Sequence, residues 1–427
     1  MTAEVQLPAK EQRVAVIGAG IVGMMSAYYL FRAGCSVTVI DPAEPGDMRA
    51  SSFGNGGWLS PSLVTPGAMP GLWKQVPKML LDPKGPLTID IRRLPRLLPW
   101  LFRFLWSGAT ERRVRPTSKA LSSLVGSCPE LHQQVAREIG ADHLIEPRGL
   151  LFLYRDRQAF EREALPWALR REFGATWTEF DEQQLRIEEP NVPERYRFGV
   201  LVAGGHCVDP GGFVAEIARY LFSQGVQYRQ SSALDFAFDG GRLAGVHTAD
   251  GTVSCDKAVI SAGAWSAQLA RKVGNNIPLE AERGHHIVVA GEGPKLRNRL
   301  FLTDHKITVR TFKDATKVTG QVDFSGLETP ANPLRFEVLH DLVADALPIL
   351  KSGAQRKLST WMGRRPSLPD GRPAIGRSRR SADVVLAFGH GHVGFAAGPE
   401  TARLVTGLIT GGVDEDLLAP FSPSRFA

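Results

Sequence analysis

The sequence predicts an α/β protein in which a doubly wound, parallel-sheet domain is interrupted by an inserted α+β domain. Three observations carry that prediction. Residues 13–41, RVAVIGAGIVGMMSAYYLFRAGCSVTVID, hold a short apolar run, a glycine-rich turn, a Pro-free apolar segment and a second apolar run. In mid-chain another apolar run ends in small residues, KAVISAGAW at 257–265, and a second glycine-rich loop, GHGHVGF at 389–395, lies near the end. Between these pieces the chain changes character, and 427 residues exceed what one hydrophobic core normally organises, so two domains are expected.

The first unit carries the most chemistry. Residues 14–17 read as a strand buried on both faces, 21–33 as a helix stopped by Gly34, and 37–40 as a second buried strand closed by Asp41. Gly18, Ala19, Gly20, Ile21, Val22 and Gly23 spell G-x-G-x-x-G between strand and helix. Gly18 permits the tight turn, Gly20 lets the backbone approach a pyrophosphate, and Gly23 lets helix and strand pack closely. The helix N-terminus offers N–H groups and a positive dipole end to phosphates, and Asp41 can accept hydrogen bonds from a ribose diol. A Rossmann-like dinucleotide site is the expectation.

Bulk properties narrow the remaining choices. Apolar residues make up 43% and charged residues 22%, as in a soluble globular protein. The net charge of +7 comes mainly from arginine. That charge suits anionic ligands or a membrane surface, or simply an arginine-rich solvated surface. No nucleic-acid motif accompanies it, so a nucleic-acid partner is not expected. Cys35, Cys128, Cys207 and Cys255 are far apart, form no C-x-x-C and suggest no metal site. The first residues lack an apolar leader, and no apolar run approaches the length of a membrane span. A cytoplasmic protein is expected, with peripheral contact at the inner membrane face as an option.

Taken in order, the glycines of the loop RASSFGNGGWLSP (49–61) let its backbone pass close to something flat or charged, with Ser51, Ser52 and Asn55 as donors. Pro77, Pro83, Pro86, Pro95 and Pro99 argue against a long regular element in the next stretch. LPRLLPWLFRFLWSG (94–108) is dense in aromatics and rimmed by arginines. It fits a helix packed on the second domain or a segment lying in a membrane interface. A helix is expected over 118–139 with a break at Pro129, a strand over 149–154, and helix again over 155–173. Asp209 and Pro210 are placed to open a helix with Phe213, Ile217 and Leu221 on its buried stripe. Asp239-Gly240-Gly241 reads as a hairpin turn, 279–289 and 307–323 as strands, and 398–409 as the last helix.

The N-terminal G-x-G-x-x-G unit, the central AVISAGAW strand and the block GHGHVGFAAGPETARLV together resemble the D-amino acid oxidase and dehydrogenase superfamily of FAD enzymes. The chain is similar in particular to bacterial D-amino acid dehydrogenases of the small-subunit type, from about residue 13 to 412. ERGHHIVV (282–289) and GRRPSLPDGRPAIG (363–376) are further points of likeness. The resemblance implies a non-covalent FAD whose pyrophosphate lies on Gly18, Gly20 and Gly23 and whose ribose meets Asp41. Ser51, Ser52, Asn55 and Gly57 then pass the flavin, Gly263 ends the second cofactor strand, and Gly389, His390, Gly391, His392 and Gly394 lie at the flavin's pyrimidine edge. It places Arg365 where relatives grip the substrate carboxylate, with Arg310 as a second candidate, and His285 where relatives often carry tyrosine.

The activity so implied is oxidation of a D-amino acid by hydride transfer from the α-carbon to flavin N5. The imino acid then hydrolyses to a 2-oxo acid and ammonia, and electrons pass to a non-oxygen acceptor such as a quinone or an electron-transfer partner. Alternatives are a cyclic imino acid such as hydroxy-D-proline as substrate, or a glycine/sarcosine-type oxidase using oxygen. The expected division is 10–65, 204–268 and 357–420 for the FAD-binding domain, and 66–203 and 269–356 for the substrate-binding domain.

Overall fold

The computed structural model describes residues 12–426 except 83, 292, 294, 313–314, 348–349 and 351–357. Positions 10, 356 and 357 of the expected boundaries lie outside the described residues. The expected first unit forms with Arg13–Ile17 as strand β1, Ile21–Arg32 as helix α1 and Ser36–Asp41 as strand β2. β1 and β2 pair in parallel, with Ile17 opposite Ile40. Around them a sheet, six-stranded among the described residues, runs in the order Gln227–Gln230, β2, β1, Lys257–Ile260, Val384–Phe388, Ala374–Arg377. Only the last strand is antiparallel.

Helices cover one face of this sheet. Met24 and Met25 of α1, with Phe213, Ile217 and Leu221 of Pro210–Ser223, meet Val14, Val16, Val37 and Val39 in one core. Helix Gly394–Thr410 adds Val405 and Leu408 to it. On the opposite face Ala15, Ile17 and Ile260 pack against Phe236 and Val246 of a small antiparallel sheet that contains the expected hairpin, Asp239 opposite Arg242. Parallel strands buried on both faces explain why β1 reads as an uninterrupted apolar run.

The second sheet, nine-stranded among the described residues, follows the order Leu358–Ser367, Glu280–Ala290, Ala315–Phe324, Ile307–Phe312, Arg299–Leu302, Leu150–Tyr154, Phe198–Val202, Trp177–Phe180. Leu87–Ile89 is its ninth strand and pairs with Ala315–Phe324. Helix Pro333–Ala346 closes one face, with Leu339 and Val343 packed on Ile287, Val309 and Val318. The other face looks toward the first domain. Leu358–Ser367, counted with the first domain by its sequence position, is hydrogen-bonded into this second sheet beside Glu280–Ala290.

Several local expectations differ from the structure. The prolines do not prevent regular structure: Leu72–Leu81 and Leu94–Ser107 are both helices. Pro95 sits in a first turn, where its missing N–H is not needed, and Pro99 removes one intrahelical hydrogen bond. The last helix starts at Gly394, a turn before the expected 398, with Pro399 inside. Asp209 occupies the N-cap of Pro210–Ser223 but makes no side-chain capping hydrogen bond. The break at Pro129 is present, dividing Glu111–Val125 from Cys128–Ile139.

Asp383, beside the strand Val384–Phe388, ties that sheet edge together. It accepts from Lys257 Nζ at 2.6 Å and Arg242 Nε at 2.8 Å. Burial alone would raise its pKa, but the hydrogen bonds from Lys257 and Arg242 outweigh that and hold the carboxyl down at about 2. The folded pKa is below the unfolded value, so the stabilisation is full above about pH 4 and is lost as pH falls toward 2. Asp383→Asn is expected to lower stability by about 2 kcal/mol at neutral pH. In urea unfolding from pH 7 down to pH 3, the gap between wild type and variant should narrow only below about pH 4.

Candidate active site

The carboxyl ends of the parallel strands open into a cavity of about 750 Å³, roofed by the second sheet. The size lies in the range of ligand pockets. Its rim is built from the glycine turn. Gly18 has φ +111°, and a Cβ there would stand 2.4 Å from the Ser261 carbonyl oxygen. A Cβ on Gly23 would stand 1.8 Å from the Gly18 carbonyl oxygen, so strand, turn and helix close on one another with no room for a side chain. Gly20 differs: only Ser52 Oγ, at 3.4 Å, would approach its Cβ. The middle glycine therefore leaves space on the cavity side, as a backbone cradle for a pyrophosphate requires.

Hydrogen bonds fix this rim. Ala19 N–H donates to Asp41 Oδ2 at 2.7 Å, Ala43 N–H to Asp41 Oδ1 at 2.8 Å, and Ile21 N–H to Ser52 Oγ at 2.9 Å. Asp41 thus organises the turn as well as facing the cavity, and burial raises its pKa against those backbone donors. The first turn of α1 holds no acidic residue, leaving its positive dipole end free for an anion.

Of the residues expected at a cofactor, Gly18, Ala19, Gly20, Ile21, Val22, Asp41, Ser51, Ser52, Asn55, Gly263, His390, Gly391 and Gly394 line the cavity. Gly23, Gly57, Gly389 and His392 are not on its wall. Gly23 and Gly57 act through packing, since a Cβ on Gly57 would meet the Val208 carbonyl oxygen at 2.3 Å. Gly389 turns the chain at φ +89° against Leu368, and the His392 side chain is exposed. His390 turns its ring inward, with Nε2 3.0 Å from Thr401 Oγ1, and burial pushes its pKa down to about 3. It is therefore a neutral ring that offers the cavity its backbone. Gly391 N–H donates to the Pro366 carbonyl at 2.8 Å, joining this loop to the second sheet.

The roof is shaped by two more glycines. Gly284 and Gly363 stand opposite each other on neighbouring strands. The Arg365 guanidinium lies across Gly284, within 2.2–2.6 Å of where a Cβ would be. The Trp361 indole lies against Gly54 and Gly363, stacks on His286 with centroids 4.9 Å apart, and donates through Nε1 to the Met48 carbonyl at 2.7 Å. Arg365 Nη1 pairs with Glu282 Oε1 at 3.2 Å, while Ser367 Oγ donates to Glu282 Oε2 at 2.9 Å. Glu282 is the one carboxylate within ion-pair reach of Arg365 among the described residues.

The structure brings Arg365 to the cavity wall and leaves Arg310 off it. Arg310 Nη1 donates to the Val208 carbonyl at 3.1 Å, and Nη2 lies 3.7 Å from Glu146. His285 faces away from the cavity, edge-on to Phe336, and burial lowers its pKa to about 4. Residues that sequence reasoning missed include Glu282, Trp361 and Lys317. Lys317 Nζ reaches the Asn55 carbonyl at 3.3 Å, and burial together with Arg299 and Arg310 lowers its pKa to about 7. The cross-strand register that gathers these groups leaves no local sequence signal. Among the described residues no cluster of three or more His, Cys, Asp or Glu could hold a metal ion, and all four cysteines are buried.

The pattern has known counterparts. A family model described as FAD dependent oxidoreductase, DAO, matches residues 13–408. The chain belongs to the DAO family of FAD dependent oxidoreductases. It is 43% identical over 417 residues to a D-amino-acid oxidase of Bradyrhizobium diazoefficiens, covering 97% of this chain and 99% of that one. A D-amino acid dehydrogenase of the same organism is 26% identical over 97% of this chain and 99% of that one. A glycine oxidase of Geobacillus kaustophilus shares the fold, with a TM-score of 0.74 at 19% identity over 97% of this chain and 100% of that chain. The L-proline dehydrogenase of P. horikoshii shares it with a TM-score of 0.73 at 18% identity, covering 97% and 98%. The chain is thus an FAD-dependent oxidoreductase, and its glycine cradle, its acid-free helix start and its cavity size fit that cofactor.

The two kinds of glycine should respond differently. Gly23→Ala is expected to disrupt the strand–helix contact and yield little folded protein. Gly20→Val should keep the far-UV circular dichroism of wild type while weakening FAD binding at least roughly tenfold, because the side chain fills the cradle. Titration of apoprotein with FAD, followed by flavin fluorescence, checks this; wild-type affinity in Gly20→Val would remove the assignment.

Proposed function

We propose that this protein oxidatively deaminates D-amino acids, giving the 2-oxo acid and ammonia. The observation that supports this best is Arg365, a guanidinium laid over a side-chain-free hollow in the cavity roof. The D-amino-acid oxidase at 43% identity supplies the substrate class. Bound FAD supplies a two-electron acceptor; the protein supplies binding, orientation and exclusion of water.

Within this reading Glu282 fixes Nη1 of Arg365 and so aims the rest of the planar fork into the cavity, where it takes the substrate carboxylate in bidentate fashion. The Arg365 guanidinium and the Trp361 indole fill the space over Gly284 and Gly363, and the α-carbon takes the cavity volume beneath them. The Cα–H bond breaks on a substrate whose amine is neutral; water then adds to the imine carbon and ammonia leaves. We read Gly18, Gly20 and Asp41 as the dinucleotide cradle, with Ser51, Ser52, Asn55, Gly263 and Gly391 along the flavin. The FAD is non-covalent in this reading. The ring of the cavity-lining His390 is already engaged by Thr401. The domain division follows the two sheets, with Leu358–Ser367 joined to the substrate-binding part.

For the electron acceptor, a membrane quinone or electron-transfer partner is the first reading, supported by the aromatic and arginine-rich surface analysed below. Direct use of dioxygen is the second, favoured by the name of the relative at 43% identity. Turnover of D-alanine, D-proline and glycine, with an artificial dye under nitrogen and with air, separates these readings and tests the cyclic-imine and glycine alternatives.

Arg365→Ala should retain flavin and lose roughly ten- to a hundredfold in kcat/KM for a D-amino acid, since a charge-assisted contact contributes about 1.5–3 kcal/mol. Arg365→Lys should recover little, because a point charge cannot reproduce the fork. Near-normal turnover in Arg365→Ala would end the assignment. Acid precipitation of wild type should leave the yellow colour in the supernatant.

A further inference from the structure

The helix Leu94–Ser107 presents two different apolar faces. Leu97 and Trp100 are buried against Phe324 of the second sheet, with Phe104 stacked on Trp100 at 5.1 Å. The opposite face carries Leu98, Phe102 and Trp106 at i, i+4 and i+8, which are 54%, 68% and 54% exposed. Phe102 and Trp106 stack on each other at 6.2 Å, and the Arg113 guanidinium lies 4.0 Å from the Trp106 ring centre. The neighbouring helix Leu72–Leu81 has no buried residue and exposes Trp73, Leu80 and Leu81; Ile91 is exposed between the two. A row of large side chains left in water by a folded protein marks a contact surface.

The charge around this surface decides what kind of contact it is. Residues 72–113 hold nine basic and three acidic side chains, Lys74, Lys78, Lys84, Arg92, Arg93, Arg96, Arg103, Arg112 and Arg113 against Asp82, Asp90 and Glu111. Nearly all of the chain's net charge of +7 therefore lies in this one segment. All three acids are engaged, Asp82 accepting from the Lys84 N–H, Asp90 capping the turn Ile91–Arg93 and Glu111 pairing with Arg115. None of Arg92, Arg96, Arg103 and Arg112 forms an ion pair among the described residues. Apolar and aromatic side chains flanked by unpaired arginines match an anionic bilayer interface, where rings enter the headgroup region and guanidinium groups meet lipid phosphates. Among the described residues no helix is long and apolar enough to cross a membrane, so contact would be at the surface.

We infer that this face docks the protein on anionic lipid, with Leu98, Phe102 and Trp106 inserted and Arg92, Arg96, Arg103 and Arg112 on headgroup phosphates. The docked face connects to the cavity. Arg93 lies across Gly326, and two residues later Glu328 lines the cavity and accepts from Trp265 Nε1 at 3.1 Å. The inference stands apart from the reaction assignment, because it is read by binding and not by turnover.

The experiment is co-sedimentation of the FAD-loaded full chain with vesicles of phosphatidylcholine alone or mixed with phosphatidylglycerol. Wild type should sediment with the anionic vesicles at low salt, little with neutral ones, and progressively less as salt screens the arginines. Leu98→Glu/Phe102→Glu/Trp106→Glu, all at exposed positions, should abolish binding while the flavin spectrum and dye-linked turnover of a D-amino acid stay as in wild type. Arg92→Glu/Arg96→Glu/Arg103→Glu should lower binding roughly tenfold or more, each basic side chain near an anionic surface being worth a several-fold factor. No binding at low salt, or binding that neither triple variant changes, overturns the inference. So does a wild-type dimer in analytical ultracentrifugation that the glutamate triple variant converts to monomer without any lipid binding, because the stripe then belongs to a second copy of the chain.

Discussion

The close approach of Gly23 to the Gly18 carbonyl, with Ser261 pressed against the same turn, is the constraint on which the rest depends. It lets α1 begin directly at the end of β1, so that the positive end of the helix points into the cavity. It draws Lys257–Ile260 alongside β1, which brings Gly263 to the same rim. The Asp41 carboxylate then holds the turn through Ala19 and anchors the following segment through Ala43. Without that packing the strand ends would not converge, and the second sheet would have nothing to roof.

The roof uses the same physical device for a different purpose. Gly284 and Gly363 remove two side chains from the middle of a sheet face, and long side chains from neighbouring positions lie down in the space. A guanidinium and an indole are thereby held against backbone at the cavity wall. Glycine inside a strand usually weakens it; here the lost packing is replaced by Arg365 and Trp361.

How much of this the sequence showed depends on how local each signal is. The β1–turn–α1–β2 unit was legible because its hydrophobic period, glycines and terminal acid lie within thirty residues and serve one purpose. The hairpin at Asp239 and the break at Pro129 were legible for the same reason. The proline-containing helices were not, because a proline in the first turn costs nothing and one farther in costs a single hydrogen bond that packing can offset. Arg365 was reached through family likeness, whereas its partner Glu282 is over eighty residues away and is joined to it only by antiparallel register. Arg310 and His285 show the limit of reading residue type. One lies on the same sheet beyond the cavity wall, and the other points to the opposite face, which a single step of strand alternation decides.

The strand Leu358–Ser367 carries Trp361, Gly363 and Arg365 in the second sheet, and its last residue forms a β-bridge with His390 of the cofactor-side loop. One continuous piece of backbone therefore spans roof and floor. The two halves of the cavity cannot swing apart like the jaws of a clamshell without breaking that bridge and the Gly391–Pro366 hydrogen bond beside it. Entry and exit of small molecules thus fall to side chains and loops at the mouth. The spacing between the roof guanidinium and the floor glycines becomes a fixed ruler, against which the length of any occupant is measured.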